Sequence, residues 1–190
     1  RCIAANASHC SPAAMTADLF QPVGGKVPGA KNEYCWLAAG VPGILAGLEL
    51  IHRRFGTVPL GELMKPAIQI AREGFPWPAE MASLIQKRSR QFGGDPGSRR
   101  LYFRDGQPLA AGEVFRNPEL AEMLEALAKA NSVSAFYRGD IALRIAEAFA
   151  RNGGMVTAQD LAAYEARLVE PYSMTCGNRT IHTAPLTAAG

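Results

Sequence analysis

Long apolar runs are missing from this 190-residue chain: no stretch approaches the ~18 consecutive apolar residues that a membrane-crossing helix requires, so no transmembrane segment is expected. An excess of one charge is missing too. Twenty Lys and Arg residues against 17 Asp and Glu leave a formal net charge of +3. The basic residues fall in scattered pairs, Arg53–Arg54, Lys87–Arg88 and Arg99–Arg100, which argues against the basic stripe of a nucleic-acid binder and fits a solvated surface. Cysteine is confined to Cys2, Cys10, Cys35 and Cys176, with no CxxC spacing and no His pattern nearby. A zinc site is therefore not expected, and buried or free thiols are the reading, because any pairing is illegible from sequence. His9, His52 and His182 lie far apart with no motif to organise them, and His52 reads as a surface residue of a helix rather than a base. GxSxG, HExxH, DxDxDG, GxGxxG and Walker patterns are all absent, so Gly24-Gly25 reads as a plain connection and no cofactor is expected. The chain begins with Arg rather than Met and shows no signal peptide, which leads us to expect a start lost to processing, truncation or disorder and leaves the compartment open.

What is present is apolar content. At 48% hydrophobic residues the chain is long enough to bury about two thirds of its unfolded surface, so residues 1–190 read as one domain or a large part of one. The stretch Gly40–Phe75 carries two amphipathic periods. Ile44, Leu45, Leu48 and Ile51 recur at helical spacing, His52, Arg53 and Arg54 close the turn that favours cations, and Gly56 is expected as a left-handed stop. Leu60, Leu63, Met64, Ala67, Ile68 and Ala71 repeat the pattern up to Gly74. Pro66 sits inside it, which predicts a kink or a helix starting near Lys65.

Before these periods, Ala4–His9 reads as a strand ending in a loop. Ser11-Pro12 reads as an N-cap leading into a helix over Ala13–Phe20, followed by a Gly/Pro loop through Lys31. After them, a helix is expected over Ala79–Phe92, a loop over Gly93–Arg100, a hairpin at Asp105-Gly106, and a helix capped by Asn117. Glu119, Glu122 and Glu125 on that helix read as a solvated face. A further helix is expected over Phe136–Asn152, then a capping box from Thr157 to Asp160, and finally a strand pair turning at Gly177-Asn178. Helices first and strands last describe an α+β chain or a layered α/β piece rather than a nucleotide-binding βαβ series.

The segments VPGILAGLELIHRRFG, LGELMKPAIQIAREGF, NPELAEMLEALAKA, FYRGDIALRIAEAFARNGGMVTAQDLAAYEARLVEPY and the terminal TAPLTAAG, taken in this order, resemble the large subunit of γ-glutamyltransferases (glutathione hydrolases). The resemblance runs from about Ser11 to Gly190. It implies an N-terminal-nucleophile hydrolase with an αββα sandwich, in which a precursor cuts itself into large and small subunits and this chain is a helix-rich segment of the large one. The implied partner is a small subunit whose new amino-terminal Thr attacks a γ-glutamyl amide, with a periplasmic or extracellular setting by resemblance and a cytoplasmic one left open. No catalytic residue is then expected in this chain. Its threonines, from Thr16 to Thr187, are internal and read as parts of caps, turns and strands.

One departure bears on substrate. Where the family has Arg-Glu-x-Ala-Pro, whose Arg grips the substrate α-carboxylate, this chain has Ser8-His9-Cys10-Ser11-Pro12. Ser8 and His9 are thus the candidate substrate-binding residues, with His9 or Arg1 as a substitute cation. Hydrogen bonds to a charged group are worth about 1.5–3 kcal/mol each, so replacing a bidentate Arg by a hydroxyl weakens γ-glutamyl binding. Two alternatives stand beside γ-glutamyl cleavage: a relative acting on another amide, of the cephalosporin-acylase-like or oxamate-amidohydrolase-like kind, and a non-catalytic helical binding protein.

Overall fold

The computed structural model describes residues 2–185. In chain order, β1 is Ala4–Asn6, α1 Ile44–Phe55, α2 Leu60–Glu73, β2 Phe75–Pro76, α3 Ala79–Lys87, α4 Ser89–Gly94 and α5 Pro96–Tyr102. There follow β3 Phe103–Arg104, β4 Gln107–Pro108, β5 Val114–Phe115, α6 Pro118–Ala130, α7 Ser134–Arg138, α8 Asp140–Arg151 and α9 Ala158–Ala163, then β6 Arg167–Val169, β7 Tyr172–Cys176 and β8 Arg179–Thr183. The fold is helix-rich α+β, with strands joined in antiparallel pairs: β1 with β6, β2 with β5, β3 with β4, β7 with β8. Among the described residues no helix is long and apolar enough to cross a membrane.

Local sequence chemistry accounts for many of these boundaries. Thr157 and Asp160 form the reciprocal capping box of α9, and the Asn117 side chain accepts from Leu120 N at the start of α6. Asp105 and Gly106 both take positive φ, 48° and 79°, which is the twist that a two-residue hairpin between β3 and β4 needs.

Elsewhere tertiary contacts override the local pattern. Residues 13–20 form isolated turns rather than a helix: Met15 N bonds to Pro12 O and Leu19 N to Thr16 O, while the Ala13 amide goes to a distant carboxylate, that of Asp160. The presumed loop at 93–100 is mostly helix, because Asp95 caps Ser98 N and Pro96 supplies the first helical position of α5. The helix expected over Phe136–Asn152 is split into α7 and α8 by extended backbone at Gly139. Gly56 is not left-handed, with φ −69° and ψ 140°. Its lack of a side chain instead leaves room for His52, whose Nε2–H donates to Val58 O at 2.6 Å. Pro66 lies inside α2, which starts at Leu60 all the same. The lost backbone bond is offset by packing of Ile68 and Ala71 on Ala121, with Met64, Leu124 and Ala128 around them.

Contacts cluster in two compact units, one from the start to Leu60 together with Asn131 onward, the other Gly61–Ala130. The second is built on aromatic packing: Trp77, Ile85, Phe103 and Leu109 are buried, and Phe115 stacks on both Trp77 and Tyr102 at 4.7 and 5.7 Å. The first has Val41, Ala142, Val156 and Leu161 at its centre, with Ile145, Phe149 and Tyr164 against them. Glu49 of α1 accepts from Ser132 Oγ and Val133 N, both at 2.9 Å, and so ties α1 to the start of α7.

Leu161, with no exposed surface, should cost about 2–5 kcal/mol when cut to Ala, whereas Leu143→Ala, 55% exposed on α8, should cost less than about 0.5 kcal/mol. Urea unfolding of the two variants checks the difference.

Candidate functional site

The Ser8–His9 pair sits in a strand-to-loop segment with no regular structure of its own. The segment is tied down on both sides. Before it, β1 pairs with β6 through Ala4↔Val169, Ala5↔Leu168 and Asn6↔Arg167. After it, Cys10 and Val41 exchange two backbone bonds, Val41 N to Cys10 O at 2.8 Å and Cys10 N to Val41 O at 3.3 Å. Between these anchors the Asn6 side chain accepts from Ser8 N at 3.1 Å, and the Tyr164 hydroxyl donates to Ser8 O at 2.7 Å.

The start of α1 faces the same segment, and glycine makes the approach possible. A Cβ on Gly43 would run into the Tyr164 hydroxyl and Ala7 O, and one on Gly47 would run into Ala7 Cβ. Tyr137 completes the frame, donating to Pro42 O at 2.9 Å and accepting from Ala46 N at 3.1 Å, with its ring stacked on Tyr164 at 5.7 Å and 16°. The result is a cavity of about 410 Å³ bounded by Ser8, His9, Gly40, Pro42, Ile44 and Phe136. It presents the exposed Ser8 and His9 opposite apolar walls and the first turn of α1, where backbone N–H groups carry partial positive charge.

Burial pushes the Tyr137 hydroxyl above its ordinary value, with a counteracting bond from Ala46 and further upward pushes from Tyr164 and Glu49. Burial, then Cys10, pushes Tyr164 the same way. Both hydroxyls therefore stay protonated at neutral pH and can donate. Burial acts to raise the Asp160 carboxyl, but the bonds it accepts from Thr157 Oγ1 at 2.6 Å, Ala13 N at 2.8 Å and Thr157 N at 2.9 Å outweigh burial and hold it below the usual carboxylate range. Through Ala13, α9 thus anchors the far end of the Ser8–Pro12 run.

The structure brings Ser8 and His9 together at one cavity and leaves the other histidines elsewhere. His52 closes the turn after α1, and His182 Nδ1 lies 2.7 Å from Ser173 Oγ as an exposed cross-strand pair of β7 and β8. All four cysteines are free, with Cys2, Cys10 and Cys176 exposed and Cys35 half-buried. Among the described residues no three His, Cys, Asp or Glu side chains group to hold a metal. Arg1 and the end of TAPLTAAG lie outside the described residues. Tyr137, Tyr164, Asp160 and Gly43 were not singled out from sequence as parts of this site. Their contacts join residues up to 156 positions apart, and nothing local signals them.

A family model described as Gamma-glutamyltranspeptidase matches residues 1–190. The chain is 33% identical over 181 residues to the glutathione hydrolase proenzyme of Escherichia coli, covering 95% of this chain and 31% of that protein. Its fold matches the crystal structure of the Helicobacter pylori gamma-glutamyltranspeptidase with a TM-score of 0.90 at 27% identity, over 97% of this chain and 53% of that one. It also matches a cephalosporin acylase from Bacillus halodurans with a TM-score of 0.82 at 25% identity, over 96% of this chain and 35% of that one. The chain spans between 24% and 31% of the length of the curated relatives it matches.

Because the Asp160 carboxyl is lower when folded than its unfolded value of about 3.9, its contribution is fully present above that pH and fades as pH falls through the folded value. The stability difference between the wild type and Asp160→Asn should therefore be constant above about pH 5 and shrink below about pH 4, as read by urea unfolding across pH.

Proposed function

The chain belongs to the gamma-glutamyltranspeptidase family, and on that premise we propose that it is the large-subunit portion of an amidohydrolase that cleaves γ-glutamyl amides such as glutathione. The observation that carries this reading is the family match along the whole of residues 1–190, supported by the E. coli relative being a proenzyme. In this reading the chain is a partial domain of an αββα N-terminal-nucleophile hydrolase, completed by a small subunit from the same precursor.

The chemistry then divides between the subunits. The small subunit's terminal Thr hydroxyl attacks the γ-carbonyl while its own α-amine takes the proton, and backbone donors hold the tetrahedral oxyanion. The amine leaves protonated, an ester links acyl group and Thr, and water or an acceptor amine resolves it. The share of this chain is recognition. The Ser8–His9 wall meets the acyl group, with the Ser8 hydroxyl as a neutral donor and acceptor and the His9 ring beside Gly40 as a second polar contact.

A second reading, cleavage of a non-glutamyl amide, is favoured by the lining of the cavity: Ser8 is on its wall, at the position where the resemblance implies an Arg, and no Arg or Lys stands among the described lining residues. An α-carboxylate then lacks its bidentate partner, while an acyl group without that charge loses nothing.

Mass spectrometry of the full gene product should reveal self-cleavage ahead of a Thr or Ser; an uncleaved product would leave only a binding role. On γ-glutamyl-p-nitroanilide, Ser8→Arg should raise kcat/KM by about 10- to 100-fold, the worth of one restored charged contact. A wild type already turning over that substrate well, with Ser8→Arg neutral, would remove the non-glutamyl reading.

A further inference from the structure

We propose that Tyr164 is a positioning residue for substrate recognition, acting through the backbone of Ser8; this rests on the reading that the Ser8–His9 wall meets the acyl group. Ser8 lies in a short bridge between two anchors, the β1–β6 ladder and the Cys10–Val41 backbone pair. Within the bridge the Asn6 side chain accepts from Ser8 N at 3.1 Å, and the carbonyl that follows is held by the Tyr164 hydroxyl, which donates to Ser8 O at 2.7 Å from 156 residues further along the chain.

Tyr164 is itself held in place. It follows α9 directly, its backbone N–H bonds to Leu161 O at 3.1 Å, and its ring packs on the core of Val41, Ala142, Val156 and Leu161. Stacking on Tyr137 fixes the ring plane. Tyr137 in turn spends both hydrogen-bonding roles of its hydroxyl on the entry to α1, at Pro42 O and Ala46 N. The two stacked rings therefore join the opposing walls of the cavity, Ser8 on one side and Pro42–Ile44 on the other, and set the distance between them. Gly43 keeps the joint open, since any side chain there would occupy the place of the Tyr164 hydroxyl. The hydroxyl spends its donor on the carbonyl of the peptide that links Ser8 to His9, the two candidate recognition residues.

The test uses the processed full-length enzyme and Tyr164→Phe, which keeps ring, stacking and burial and removes only the donor. Amide hydrogen exchange over residues 8–10 should quicken about 5- to 10-fold, the population shift expected for one lost hydrogen bond, with the thermal midpoint nearly unchanged. With the amide turned over fastest among γ-glutamyl-p-nitroanilide and simple acyl-p-nitroanilides, KM should rise about 3- to 10-fold while kcat changes less than twofold. Ser8→Ala and His9→Ala should raise KM as well, and Tyr164→Phe combined with Ser8→Ala should be less than additive. Unchanged exchange at residues 8–10 overturns the proposal whatever the kinetics. If Ser8→Ala or His9→Ala moves KM and Tyr164→Phe does not, or if the double variant is additive, the positioning role falls and the recognition reading stands. If neither Ser8→Ala nor His9→Ala moves KM, the recognition reading itself fails and takes the positioning role with it.

Discussion

The hydrogen bond from Tyr164 to the Ser8 carbonyl ties the candidate site to a residue 156 positions further along the chain. From Ala7 to Ala13 the chain forms no helix and only a single bridge, so its shape comes from the partners of its polar groups: the Asn6 side chain, the Tyr164 hydroxyl, Val41 and the Asp160 carboxylate. An irregular segment carrying backbone polar groups keeps one conformation only if those groups find fixed partners. Here the partners other than Asn6 are rigid because they stand on α9 and its core.

Close approach is the second condition. α1 meets the Ala7–Ser8 backbone only because Gly43 and Gly47 present hydrogens where other residues carry a Cβ. The VPGILAG sequence thus does more than begin a helix: its glycines let the helix start be one wall of the cavity while Tyr137 holds Pro42 and Ala46. Recognition is the role proposed for a site assembled this way.

Much of the secondary structure was legible because its causes are local. The capping box at Thr157–Asp160, the Asn117 cap, the Asp105-Gly106 turn and the hairpin at Gly177 each rest on residues within a few positions of one another. The misreadings have a common cause as well. Ser11-Pro12 carries a helix-start pattern, yet the Ala13 amide is claimed by Asp160, 147 residues away. Gly56 was expected to supply a left-handed backbone, and it supplies space for His52 instead. Pro66 predicts a kink or a helix starting near Lys65, yet α2 already starts at Leu60, with Ile68 and Ala71 buried beyond the proline. Propensity is a weak term, and packing decides when the two conflict.

Sequence alone determined the family resemblance and the helix-rich α+β character, because ordered motifs and apolar periods are properties of the linear chain. It singled out Ser8 and His9. Only the tertiary structure decided what surrounds them: the stacked tyrosines, the glycine-permitted approach of α1 and the carboxylate tether at Ala13. These contacts join residues between 27 and 156 positions apart, as Tyr137 to Tyr164 and Tyr164 to Ser8 illustrate. At that separation, side-chain identity carries no trace of its partner until the core has folded and brought the two together.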